Sequence, residues 1–150
     1  MGLAGGASEV AWIAMYAQLS GSDAAVVARG ITNSLFPWIQ TTSMDAPLGV
    51  AIHMSLAVLL GIAIATVLQA RFPRVSGTAR EPVIIVMVLI AVWATNFFLV
   101  LPAINPAFVT LVPYGVSLIS KVLFGFAAAL VLHLHHEPHP VTKTVVKGNL

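Results

Sequence analysis

The sequence predicts an all-α integral membrane protein, a four-helix bundle with both termini in the cytoplasm and a short interfacial helix on the external side. Three observations lead to this fold class: the apolar composition, four segments of membrane-spanning length, and the placement of the cations. Of the 150 residues, 59% are hydrophobic and 8% are charged, and the mean hydropathy is +0.97, whereas soluble domains carry ~25% charged residues. A chain this apolar needs lipid as its solvent. Cysteine is absent, which excludes disulfides, thiolate metal sites and cysteine nucleophiles.

Four apolar segments come close to the ~20 residues that cross a bilayer. We expect them over residues 2–20, 47–69, 82–102 and 114–135, in a single transmembrane domain with a cytoplasmic tail over 136–150. The first is the weakest because Glu9 and Gln18 lower its hydropathy. It lacks the basic start of a cleaved signal peptide, so a retained span is predicted. Pro82 suits the first turn of a helix, and Pro102 suits the end of one.

The cations give the orientation. An even number of spans places five of them on one side of the membrane: Arg71, Arg74, Arg80, Lys143 and Lys147. The opposite side carries Arg29 with Asp23 and Asp45, two acids on connections with no evident partner. The positive-inside rule therefore places both termini and the 70–81 loop in the cytoplasm.

The two external connections are predicted to lie close to the bundle. In the first, Ser22 or Asp23 can cap a short helix, on which Val27, Ile31 and Leu35 share one face. We expect this helix to lie on the outer membrane surface. The second connection, AINPAFVTLVP, is apolar and rich in proline, and we expect it to lie against the membrane or to plug the outer mouth of the bundle.

Small residues recur at i, i+4 spacing on two spans, as at helix seams in lipid. The stripes are Gly49, His53, Ala57, Gly61 and Ala65 on the second span and Ser117, Lys121, Gly125 and Ala129 on the fourth. Each stripe holds one titratable residue, which is therefore predicted to face protein and not lipid.

One polar residue from each span is predicted to converge on one layer: Glu9, His53, Asn96 and Lys121. Counting residues from the outer ends places the last three at a similar depth and Glu9 deeper. An unpaired charge at this depth costs ~2.5–3.5 kcal/mol or more, so a buried Glu9–Lys121 pair is expected. Three interpretations stay open: a structural pair that fixes helix register, a site for protons, ions or a polar ligand, or Lys121 extending alone to the outer surface.

The histidines raise the question of metal binding. His133, His135, His136 and His139 are weak candidate metal ligands near the end of the fourth span. Interaction with the helix dipole and lipid headgroups is the alternative. His53 is predicted too far from them to share one haem iron with them.

Two segments carry a resemblance to a known family. The pattern WATNFFLVLPAINPAFVTLVPYGVSLISKVLFG (93–125) and the segment GVAIHMSLAVLLGIAIA (49–65) resemble those of uncharacterised small four-span bacterial inner-membrane proteins. The family has no assigned activity. The resemblance therefore implies a four-span fold and the bacterial inner membrane, and no reaction.

Three functions follow as expectations, none of them enzymatic, because no phosphate-binding loop or nucleophile elbow is present. The first is an accessory or assembly subunit of a larger membrane complex, with the lipid bilayer and other subunits or a second copy as partners. The second is a small transporter or proton-handling protein that uses the polar layer. The third is a redox subunit that binds a cofactor through His53. We predict no resident cofactor and no nucleic-acid partner, because the few basic residues mark topology.

Overall fold

The computed structural model describes residues 1–38, 43–75 and 77–136, with side chains up to residue 134. All regular secondary structure in these residues is helical. The helices are α1 (Gly2–Ser20), α2 (Ala24–Leu35), α3 (Asp45–Arg71), α4 (Glu81–Thr95), α5 (Leu101–Ile104) and α6 (Tyr114–His136), with a π-helical turn (Asn96–Val100) between α4 and α5 and a 3₁₀ turn (Pro106–Thr110) after α5.

Three helices in the described residues are long and apolar enough to cross a membrane. They are α3, the continuous stretch from Glu81 to Ile104, and α6 up to Leu134. This indicates a multi-pass membrane protein. At 19 residues α1 is also long enough, but it is less apolar and is not among the three.

The long helices pack antiparallel in the order α3, α1, α6, α4. Gly2 of α1 lies beside Gly61 of α3, and Gly5 lies beside Phe124 of α6. On the far side of α6, Gly125 lies beside Val86 of α4. This order brings the ends of α3 and α6 to one end of the bundle, together with the starts of α1 and α4. We call it the arginine end, because Arg71, Arg74 and Arg80 lie there, and we call the opposite end the α2 end.

Glycine lets α1 and α3 approach closely. A Cβ atom built on Gly61 would lie 2.6 Å from the Cα atom of Gly2, and one on Gly2 would lie 2.5 Å from the Ala57 carbonyl oxygen. No side chain fits in this gap. Of the two predicted stripes, Gly49, Ala57, Gly61, Ser117, Gly125 and Ala129 are buried, and His53, Ala65 and Lys121 are partly buried.

The arginine half of the bundle is closed by an apolar core. Ile85, Leu89 and Phe124 have no exposed surface, and Ile64 and Leu68 of α3 pack with them at 5% and 4% exposure. Side chains of α3, α4 and α6 therefore fill the interior on this side.

The third long helix does not end at Pro102 as predicted. It continues to Ile104 through the π turn, where the Leu101 N–H donates to the Asn96 carbonyl oxygen, five residues back. Proline lacks an N–H and its ring disfavours a regular helical turn before it. The wider turn before Pro102 accommodates the proline within a continuous helix.

The short helix α2 is tied to α3. Asp23 is its N-cap, and the Asp23 carboxylate accepts from the Ala25 N–H at 2.8 Å and from Arg29 at 2.9 Å. Thr32 donates to the Asp45 carbonyl oxygen at 2.7 Å, and Asp45 is 2% exposed. The prediction that Asp23 can cap this helix is confirmed. The description of Asp23 and Asp45 as acids with no evident partner was wrong, since Asp23 pairs with Arg29 and both acids lie at helix starts, where the N-terminal dipole favours them.

Candidate functional site

Glu9, Lys121 and His53 form a buried polar cluster between α1, α6 and α3. The Lys121 Nζ atom lies 2.5 Å from the Glu9 Oε1 atom, with the Glu9 side chain 3% exposed and the Lys121 side chain 17% exposed. Opposite charges at this distance compensate each other, which a charge held away from water requires.

His53 contacts the other oxygen of the same carboxylate. Its Nε2 atom lies 3.4 Å from the Glu9 Oε2 atom. The approach lacks hydrogen-bond alignment, and both atoms are buried without another hydrogen-bond partner among the described residues.

Serine and tryptophan side chains hold the α6 wall of the cluster in place. The Ser120 Oγ atom lies 3.2 Å from Glu9 Oε1 and 2.7 Å from the Ser117 carbonyl oxygen. Trp93 of α4 donates its indole N–H to the Ser117 Oγ atom at 2.8 Å. Trp12 of α1 donates to the Val116 carbonyl oxygen at 2.9 Å. These bonds join three helices at the level of the cluster.

Glu9 lies level with His53 and Lys121 and not below them, contrary to the depth count. The count assumed that all helices end at the same height. Glu9 is eleven residues from the end of α1 at Ser20, and His53 is eight residues from the start of α3 at Asp45. At ~1.5 Å rise per residue, α1 extends ~4.5 Å beyond α3 at the α2 end.

The cluster forms part of the wall of a large cavity in the α2 half of the bundle. The cavity has a volume of about 650 Å³ and is lined by α1, α2, α3, the stretch from α4 to the 3₁₀ turn, and α6. This volume lies within the range of ~300–1,000 Å³ that is usual for small-molecule sites. Most of its lining side chains are aliphatic or aromatic. The polar ones are the three of the cluster and those of Asn96, Ser34, Ser117 and Ser120.

The α2 helix and the 3₁₀ turn cover the cavity. Val27 and Ile31 of α2, predicted to share one face, line it, and so does the buried Phe108 of the turn. A Cβ atom on Gly30 would meet Phe108 at 2.8 Å, so the two covering elements are in contact. The connection AINPAFVTLVP therefore lies over the cavity at the α2 end of the bundle.

The cavity is open at the side, between α3 and the α4–α5 stretch. Its lining residues there are exposed aliphatic side chains: Val50 at 38%, Leu56 at 53%, Val100 at 40% and Ile104 at 53%. These side chains belong to two helices that are long and apolar enough to span a membrane.

Asn96 also lines the cavity, across from the charged cluster. It is the first residue of the π turn, and single π turns within α-helices are frequent at functional sites. Within the described part of the chain its carboxamide has no hydrogen-bond partner. The side chain is therefore free to bond to a molecule in the cavity. Of the four predicted polar residues, the structure brings Glu9, His53 and Lys121 into contact and places Asn96 on the same cavity.

The terminal histidines are separate from this site. His133 is exposed near the end of α6, twelve residues or ~18 Å from Lys121. The side chains of His135 and His136, and all of His139, Lys143 and Lys147, lie outside the described residues. Among the described side chains, no group of three His, Cys, Asp or Glu residues is placed to hold a metal ion.

Three features of the site were not predicted: the cavity itself, its cover by α2, and the Trp93–Ser117 bond. The available signals were weak. Ser117 was recognised as a seam residue, and Trp93 is a polar-tipped aromatic that needs a partner when buried. No local pattern shows that α2 folds back over a gap between α3 and α4.

Comparisons with models of known protein families, with curated proteins and with solved structures give no significant match. The resemblance of residues 93–125 and 49–65 to small four-span inner-membrane proteins stays a prediction. The function is therefore inferred from the geometry of the cavity and the cluster.

Proposed function

We propose that this protein binds an amphiphilic, lipid-soluble molecule inside the membrane, with the head group at Lys121, His53 and Asn96 and the chain along the apolar walls. The cavity of about 650 Å³ carries this proposal, because an apolar chamber with a few convergent polar groups is typical of ligand sites. The side opening supports it too, since exposed aliphatic residues at its rim let an apolar molecule enter from lipid.

Binding is favoured over conduction through the bundle. A path for protons or ions needs polar groups or water on both sides of the cluster. Towards the arginine end, the interior below the cluster is filled by Ile85, Leu89 and Phe124, none of which has exposed surface. In this conformation the cavity is closed towards the arginine end. Any transport step would need these three side chains to move apart.

The proposal includes the full topology. α1 is a fourth span, since it packs antiparallel between α3 and α6. The arginine end with both termini faces the cytoplasm of a bacterium, and α2 lies at the external face of the inner membrane. Trp38, 73% exposed after α2, suits the headgroup level there. The earlier expectation of an accessory subunit stays a prediction, because exposed apolar helix faces contact lipid as readily as a partner.

Co-purification tests the binding function. The protein is extracted into nanodiscs, and the organic-soluble molecules bound to it are identified by mass spectrometry. Ala14 of α1 is exposed and lines the cavity, so Ala14→Phe places a ring in it without removing a contact. Ala11→Phe, on an exposed position of the same helix away from the cavity, is the matched control.

We expect one amphiphile, enriched over bulk lipid, with wild type and Ala11→Phe, and its loss from Ala14→Phe. If the same bound molecules were recovered in the same amounts from all three proteins, the ligand would not lie in the cavity.

A further inference from the structure

The charged side chains on the cavity wall indicate whether the ligand carries a charge. Of the described residues that line the cavity, Glu9, Lys121 and His53 are the titratable ones. Glu9 and Lys121 are paired at 2.5 Å, so their opposite charges cancel on the cavity wall. An ionised head group would add an uncompensated charge at membrane depth, which is unfavourable.

Each sign of charge also meets a specific obstacle. An anionic head group beside Lys121 would lie next to the Glu9 carboxylate, which already holds the ammonium. A cationic head group could be compensated by Glu9 alone, and Glu9 Oε2 is buried against His53. Either ion therefore leaves one uncompensated charge beside the Glu9–Lys121 pair, which is unfavourable at membrane depth.

The cavity wall has N–H donors that are not all engaged. One of the three N–H groups of the Lys121 ammonium is directed at Glu9 Oε1, which leaves two, and the unpaired Asn96 carboxamide has two more beside its acceptor oxygen. Trp93 has its N–H bonded to Ser117, so its indole ring presents apolar surface. A carbonyl oxygen, which only accepts, fits this arrangement.

We infer that the ligand is an uncharged amphiphile with a carbonyl group in its head, such as a long-chain ester or ketone, and is neither a free fatty acid nor an amine. This inference rests on the proposed function and names the ligand class for the same site. The carbonyl oxygen accepts from Lys121 and Asn96, while Glu9 keeps its pairing.

Fluorescence quenching of Trp93 tests the inference. Trp93 is 8% exposed and lines the cavity, whereas Trp38 is 73% exposed. In a protein carrying Trp12→Phe and Trp38→Phe, Trp93 is the single tryptophan and reports bromine atoms inside the cavity. Three probes share one brominated stearyl chain and differ in the head: a methyl ester, the free carboxylate in alkaline buffer, and a primary amine.

We expect the ester to quench Trp93 at concentrations lower by about tenfold or more than the carboxylate or the amine. Equal quenching by all three, or stronger quenching by either ion, would overturn the uncharged head while leaving the cavity as a binding site. Quenching of the total tryptophan fluorescence in wild type without quenching of Trp93 in the variant, by any probe, would overturn both proposals.

Thermal unfolding of the unmodified protein gives a second measurement that does not depend on the tryptophan variants. A ligand that binds only the folded state raises the midpoint of unfolding. The unbrominated ester should raise it more than the carboxylate or the amine. An equal or larger rise with either ion would contradict the inference.

Discussion

The Lys121 ammonium and the Glu9 carboxylate are in direct contact at 2.5 Å, across the interface between α6 and α1 and at the edge of a cavity. The pair therefore has two roles. It joins the two helices, and it compensates a lysine charge in an apolar wall without leaving a net charge in the chamber.

Removing one member of this pair should destabilise the fold more than removing both. Lys121→Met leaves Glu9 buried without its cation, and we expect a loss of about 3–5 kcal/mol in the free energy of unfolding. Glu9→Gln combined with Lys121→Met should recover most of that loss. Unfolding of the purified variants by denaturant in detergent measures this, with Arg74→Met in an exposed turn as the control.

If Lys121→Met and Arg74→Met unfolded at the same denaturant concentration, the pair would contribute nothing to the fold. If the double variant were as unstable as the single one, the loss would come from packing and not from an uncompensated charge.

The contact between α1 and α3 gives a second prediction. Gly61→Val would place methyl groups where the Gly2 backbone lies, since even a Cβ atom comes within 2.6 Å of it. We expect a loss of about 1–3 kcal/mol, typical of overpacked interfaces. Ala63→Val, at an exposed position of the same helix, is the matched control and should change stability little. If both variants lost a similar amount of unfolding free energy, the close approach of α1 to α3 at Gly61 would not explain the effect.

Asn96 should show opposite effects on stability and on binding. Its carboxamide lies unpaired in an apolar cavity, so Asn96→Leu should leave the free energy of unfolding unchanged or raise it by about 1 kcal/mol. The same variant loses one hydrogen bond to the head group and should bind the ester probe about tenfold more weakly. Thermal unfolding and probe titration on the same sample measure both. If the Asn96→Leu protein were less stable than wild type and bound the ester probe normally, Asn96 would have a structural role and not a binding role.

The absence of cysteine makes the topology directly testable. Ser22 is exposed at the α2 end, and Thr78 is exposed at the arginine end. The variants Ser22→Cys and Thr78→Cys each introduce a single cysteine at one end of the bundle. In intact spheroplasts, a membrane-impermeant maleimide should label the first and should label the second only after lysis. An epitope placed before Met1 should be protected from protease until lysis. Labelling of both cysteines in intact spheroplasts, or an accessible epitope, would contradict four spans with cytoplasmic termini.

Much of the helical structure follows from sequence patterns. The helices over Gly2–Ser20, Asp45–Arg71, Glu81–Ile104 and Tyr114–His136 begin and end within two residues of the predicted boundaries. Runs of apolar residues between polar or proline-rich turns carry this information locally. Glu9 and Lys121 stood out because a charged residue in such a run needs a partner.

The cavity could not be predicted, because it depends on how helices are placed relative to each other. The ~4.5 Å offset of α1 brings Glu9 level with His53, and hydropathy does not encode such an offset. Likewise, α2 covers the cavity through the Thr32–Asp45 bond and the close approach of Gly49 to Ala28. These are contacts between residues far apart in sequence, and the pattern of α2 alone indicated only that one face is apolar.

Photolabelling tests the central claim, that an amphiphile occupies this cavity, most directly. A long-chain methyl ester with a diazirine in its chain is irradiated with the protein in nanodiscs, and the labelled residues are identified by mass spectrometry. We predict labels on cavity residues such as Ile13, Val27 and Phe97, suppressed by excess unlabelled ester and by Ala14→Phe but not by Ala11→Phe. Labels confined to outward-facing residues such as Leu59, Ile62 and Phe126, unaffected by competitor, would contradict the claim.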